Sequence, residues 1–114
     1  MERQEKGQAA EDAAVAFLRS RGYQIVERNF RCSQGELDII ARDAEELVFV
    51  EVRSRSDDEH GSALEAVGPR KQRQVARVAQ VYLSCKQPRF ETSRFDVIAV
   101  TAGELEHIID AFRA

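Results

Sequence analysis

The chain has 114 residues, 43% apolar and 32% charged, which suits one hydrophobic core, is too short for two, and excludes a wholly disordered polymer. No apolar run approaches the ~20 residues of a bilayer span and the N-terminus lacks the apolar stretch of a secretory signal, so a single domain that stays in the cytoplasm, with no membrane partner, is expected. The net charge of −3 does not mark the whole molecule as a nucleic-acid binder, so that case has to rest on local charge.

Met1 to Lys6 read as a loose polar end. Ala10, Ala13, Ala14, Phe17 and Leu18 then follow the i, i+3, i+4, i+7, i+8 spacing of an amphipathic helix, which Gly22 ends. Tyr23 to Phe30 reads as a strand. Glu36 to Ala41 and Leu47 to Val52, separated by the polar stretch Arg42 to Glu46, read as a hairpin. Asp57 to Gly61 is a charged loop carrying His60. Pro69 suits the first turn of a second helix, because its missing N–H has no acceptor there, and Val75, Val78, Ala79 and Tyr82 give that helix an apolar stripe to about Cys85. Pro88 breaks the chain. Arg94 to Val100 reads as a strand and Leu105 to Ile109 as a short last one. The order α, three strands, α, strand, strand predicts an α/β fold with a mixed sheet and helices on its faces. Cys32 and Cys85 lie in no metal-binding spacing and read as reduced thiols; His60 and His107 read as structural or solvent-facing.

The chemistry concentrates on the hairpin. Side chains alternate along a strand, so Glu36 shares a face with Asp38, and Glu51 shares one with Arg53. A turn of two residues at Ala44 and Glu45, or of four from Asp43 to Glu46, sets Asp38 opposite Glu51 with Cβ atoms about 5 Å apart. Like charges opposed in this way repel, and both acids fall inside apolar runs, where solvent does less to relieve them. A hard divalent cation, Mg²⁺ or Mn²⁺, offsets the repulsion through oxygen ligands. Glu11, beside the stripe of the first helix, is within reach of such a site. Glu36 is either a further acid of the site or a partner for Arg31. The competing reading is a solvated hairpin face with Glu51 paired to Arg31 or Arg53. Arg70, Lys71, Arg73 and Arg77 form a basic strip with no acid between Pro69 and Val78, suited to nucleic-acid phosphates or simply to solvent.

The strings Gly35-Glu36-Leu37-Asp38-Ile39-Ile40 and Phe49-Val50-Glu51-Val52-Arg53 resemble the hairpin of the YraN-like protein family, which is related to Holliday-junction resolvases and the PD-(D/E)XK nucleases. The likeness continues through Gly7 with Ala10-Glu11, Gly22-Tyr23, Asn29-Phe30-Arg31, Glu65-Ala66-Val67 with Lys71, Arg94-Phe95-Asp96-Val97 and Ala111-Phe112. The resemblance implies a restriction-endonuclease-like fold, a four-stranded mixed sheet flanked by helices, with Asp38 and Glu51 as metal ligands and Glu11 as an accessory acid. The implied activity is Mg²⁺- or Mn²⁺-dependent phosphodiester hydrolysis on branched or flapped DNA, by a protein that works as a homodimer. Arg53 stands where that pattern has Lys, and Arg does not readily give up a proton. The alternatives are a nucleic-acid-binding module of the same fold without turnover, and a protein-interaction scaffold.

Overall fold

The computed structural model describes residues 2–55, 67–102 and 104–113; the loop expected at Asp57 to Gly61, with His60, lies outside them. Helix α1 spans Glu2–Ser20. It takes in most of the expected loose end, because Glu2, Arg3, Gln4, Glu5 and Lys6 are all good helix formers and extend an existing helix at little cost. Its C-terminus is closed as the sequence predicts. Gly22 takes φ +89°, its amide donates to the Arg19 carbonyl, and the Tyr23 amide donates to the Leu18 carbonyl at 3.0 Å. The buried stripe is Ala10, Glu11, Ala14, Val15 and Leu18, while Ala13 is exposed and Phe17 half-buried, a rotation of part of a turn from the expected face.

Strands β1 (Gln24–Cys32), β2 (Gly35–Asp43) and β3 (Glu46–Ser54) form an antiparallel meander. Helix α2 (Pro69–Lys86) lies between β3 and β4 (Thr92–Thr101) in the chain, so β4 lies parallel to β3, and β5 (Glu104–Phe112) returns antiparallel to β4. The sheet order is β1-β2-β3-β4-β5. Among the described residues the sheet therefore has five strands where the resemblance implied four. The last is longer than expected because a register shift between Phe95 and Val97 lets it continue until Phe112 faces Phe95. The architecture is the α/β class read from the sequence, with one helix on each face among the described residues.

Alternation along the central strands divides the core into two layers. Ile39, Ala41, Val48, Val50 and Ile98 pack with Ala14, Val15 and Leu18 of α1. Leu37, Ile40, Leu47, Phe49, Val97 and Ala99 pack with Val75, Val78, Ala79 and Tyr82 of α2. Helix α1 lies over β1, β3 and β4, whereas α2 lies chiefly over β2 and β1, leaving the β4–β5 half of its face less covered. At the far end of the sheet Asp96, fully buried, accepts hydrogen bonds from Arg94, His107 and the Asp110 amide. Arg94 also reaches Glu46 and the Tyr23 hydroxyl. No described helix is long and apolar enough to cross a membrane.

Candidate metal centre

The β2–β3 turn holds two residues, Ala44 and Glu45, with Asp43 paired to Glu46, and the ladder runs in register as far as Ile39 opposite Val50. The next positions along that register are Asp38 and Glu51. There the backbone ladder stops and a side chain takes over: the Val52 amide donates to Asp38 Oδ2 at 2.8 Å. The carboxylate of Asp38 is thereby fixed at the place where β2 leaves β3.

Glu51 is 3% exposed. One carboxylate oxygen, Oε2, takes the Lys71 ammonium at 3.2 Å; the other, Oε1, is buried without a hydrogen-bond partner. Burial, and then the negative charge of Asp38, push the Glu51 carboxyl up to about 8, against the opposing pull of Lys71. An acid raised so far holds a proton near neutrality, next to a second acid that shares its pocket. A buried unsatisfied carboxylate oxygen facing another carboxylate is the donor set a hard cation takes, so these two residues fit Mg²⁺ or Mn²⁺.

Lys71 is the residue that the sequence placed differently. The charge pattern puts it in the basic strip, but helical geometry sets it four residues before Val75, on the row through Val75, Val78 and Tyr82 that faces the sheet. Its ammonium also donates to Gln74 Oε1 at 3.3 Å, and the Gln74 amide reaches the Gln34 carbonyl at 3.3 Å. That approach needs Gly35, where φ is +136° and a Cβ would stand 2.7 Å from Gln74 Nε2. The helix row is the signal in the sequence that turns Lys71 toward the sheet, while its pairing with Glu51 depends on how α2 sits there.

Arg53 lies two residues beyond Glu51 on β3, half-buried, with its Nε buried and unpartnered. Arg31 pairs with Glu36 at 3.1 Å on an exposed part of the sheet, so the partner expectation for Glu36 holds and neither Arg31 nor Arg53 is the partner of Glu51. Glu11 is buried, but its carboxylate accepts from Arg28 Nε at 2.8 Å and from Asn29 Nδ2 at 3.1 Å, in the region where α1 meets β1. Among the described residues no three of His, Cys, Asp and Glu gather in a group able to hold a metal ion, so Asp38 and Glu51 meet without Glu11. Arg70, Arg73 and Arg77 are exposed on the outer side of α2, as their spacing predicts. His107 is a structural partner of Asp96, and both cysteines are free thiols.

A family model described as "Uncharacterised protein family UPF0102" matches residues 10–100, which take in Asp38, Glu51, Arg53 and Lys71. The chain belongs to the UPF0102 family. Its UPF0102 relatives include a protein of Geotalea daltonii, 47% identical over 111 residues that cover 93% of this chain and 87% of that one. One from Hahella chejuensis is 51% identical over 92 residues, covering 81% and 74%, and one from Moorella thermoacetica is 44% identical over 108 residues, covering 95% and 90%. The resemblance read from the hairpin motifs is thus one of family membership along nearly the whole chain.

Proposed function

We propose that this UPF0102 protein is a divalent-metal-dependent phosphodiester hydrolase acting on DNA, with structural rather than sequence selectivity, and with Asp38 and Glu51 as its metal ligands. The observation that carries this reading is the buried, unpartnered Oε1 of Glu51 one register position from the Ile39–Val50 pair and facing Asp38. Mg²⁺ or Mn²⁺ bound there supplies Lewis acidity toward a phosphoryl oxygen and a more acidic water. The protein's own groups do the rest. Val52 holds Asp38 in place through its amide, and Lys71 balances the charge of Glu51. Arg53, its Nε without a partner, stabilises the negative charge that builds on the phosphoryl group during attack. The exposed arginines of α2 contact the backbone, which positions a substrate without reading bases. A homodimer belongs to the same reading, since a two-fold junction matches a two-fold protein.

The test is a cleavage screen over duplex, single-stranded, flapped and four-way-junction DNA at matched Mn²⁺. Metal-dependent cleavage by the wild type, lost in Asp38→Ala and Glu51→Ala, is the expected result; equal cleavage by all three removes the assignment. The second reading, a binding module without turnover, is favoured by Arg53 in place of Lys and by the ion pair that already engages Glu51. Junction binding with no cleavage under any metal, and none gained in Arg53→Lys, is its signature.

A further inference from the structure

Where α2 leaves the β4–β5 half of the sheet less covered lies a groove whose apolar floor the proposed hydrolysis does not use. Its deeper part is a cavity of about 680 Å³ lined by Phe49, Phe95 and Phe112. These rings form a ladder: Phe49 and Phe95 have centroids 5.5 Å apart at 30°, and Phe95 and Phe112 stack at 5.0 Å and 15°. Phe95 is only half-buried, and Ile109 on the wall is 57% exposed, the most exposed of the described large apolar side chains. A second hollow, of about 300 Å³, shares Ala76 and Arg113 with the first and is lined by Arg73, Arg77 and Arg113.

The charges give this groove a direction. The acids on its rim are compensated, Glu46 by Arg94 and Asp110 by Arg113 at 3.4 Å. Arg73 and Arg77 have no carboxylate partner among the described residues, and they stand one helical turn apart, about 6 Å along the axis. Phe49 and Phe112 belong to the core, so the apolar surface the groove offers is half-buried Phe95 and exposed Ile109; next to a row of unpaired cations these match unpaired nucleotides, whose bases offer apolar faces and whose phosphates are anionic. A duplex hides those faces in its own stack and has no use for the floor.

We propose that this groove binds a single-stranded nucleic-acid segment, with bases against Phe95 and the Ile109 wall and phosphates on Arg73, Arg77 and Arg113. The proposal rests on the nuclease reading and deepens it by naming its substrate class, a nucleic acid with an unpaired strand.

Fluorescence anisotropy tests it with a labelled oligodeoxyuridylate of about ten nucleotides, with the oligouridylate of the same length and a duplex as separate arms and EDTA present to prevent turnover. Single strands should bind more tightly than duplex, and the tighter of the two oligonucleotides identifies the sugar preferred. Phe95→Leu and the surface change Ile109→Ser should weaken single-strand binding, the former by about tenfold, at unchanged duplex affinity. Arg73→Ala, Arg77→Ala and Arg113→Ala should each flatten the slope of log affinity against log salt by about 0.7. Wild-type single-strand affinity in both Ile109→Ser and Arg113→Ala, or an equal loss on duplex, overturns the proposal, and neither exposed change threatens the fold. Asp38→Ala should keep single-strand binding while losing metal response, so failure of the groove and failure of the metal centre are read separately.

Discussion

Glu51 is an acid that the fold makes reluctant to ionise, and two consequences follow at its own scale. Its folded value of about 8 lies above the ordinary 4.5, so the folded state holds a proton that the unfolded chain releases earlier. Stability of the metal-free protein therefore falls as pH rises from about 4.5 to about 8 and then levels, and Glu51→Gln should remove that slope in urea titrations. A cation must displace the same proton, so the metal-induced rise in thermal midpoint should grow from about pH 6 to about pH 8 and flatten above; a pH-independent rise would place the metal elsewhere. Gly35 makes a second case. Gly35→Ala meets both a left-handed backbone and the Gln74 amide, and should cost about 1–3 kcal/mol. Adding Gln74→Ala relieves the clash and leaves the backbone part, which denaturant midpoints can separate. Asp38 and Glu51 were legible because strand alternation and an even turn fix who faces whom. The pairing of Lys71 with Glu51 and the engagement of Glu11 by Arg28 were not, since each depends on how a helix sits on the sheet.

At the scale of elements, all seven among the described residues were legible, because period-two and period-3.6 patterns were separated by turn residues; the errors fell at ends, where pattern gives way to neighbouring contacts. The hairpin turn shows the local chemistry. Ala44 takes φ 55° to close a two-residue loop, a conformation in which a Cβ is penalised. Ala44→Gly should raise stability by about 1 kcal/mol and leave the register of Asp38 and Glu51 unchanged, measured as a shift in denaturant midpoint with the metal response retained. Helix α2 has the stronger division of labour: Val75, Val78, Ala79 and Tyr82 bind the sheet, Lys71 enters the centre, and Arg73 and Arg77 face the groove. The sequence displayed the first of these sets as a periodic stripe. It gave no sign that Arg113, from the far end of the chain, would join the last.

For the molecule as a whole, the buried network around Asp96 joins the end of α1 through Tyr23, the hairpin through Glu46, and both β4 and β5. Burial raises the Asp96 carboxyl, but hydrogen bonds from His107, Arg94 and the Asp110 amide outweigh it and hold the group below its ordinary value. Its contribution is therefore present above about pH 4 and is lost as pH falls through the folded value. Asp96→Ala leaves Arg94 buried with part of its partners gone and should cost about 3–5 kcal/mol, read by urea denaturation at neutral pH. Nothing in the sequence announced this network beyond an acid inside the apolar run of β4, since its members lie far apart along the chain. The parallel pairing of β3 with β4 has a consequence during synthesis. When β3 leaves the ribosome, the strand that will cover its open edge has not yet been made, and α2 must follow first. For that interval Leu47-Val48-Phe49-Val50 is an apolar, strand-forming run with an unpaired edge, the kind of segment through which nascent chains associate. Glu45 and Glu46 precede it, and Glu51 and Arg53 follow, charged residues on both sides that oppose stacking with another chain. Glu51 and Arg53, assigned to the proposed centre, thus also guard the central strand before there is a fold to place them in.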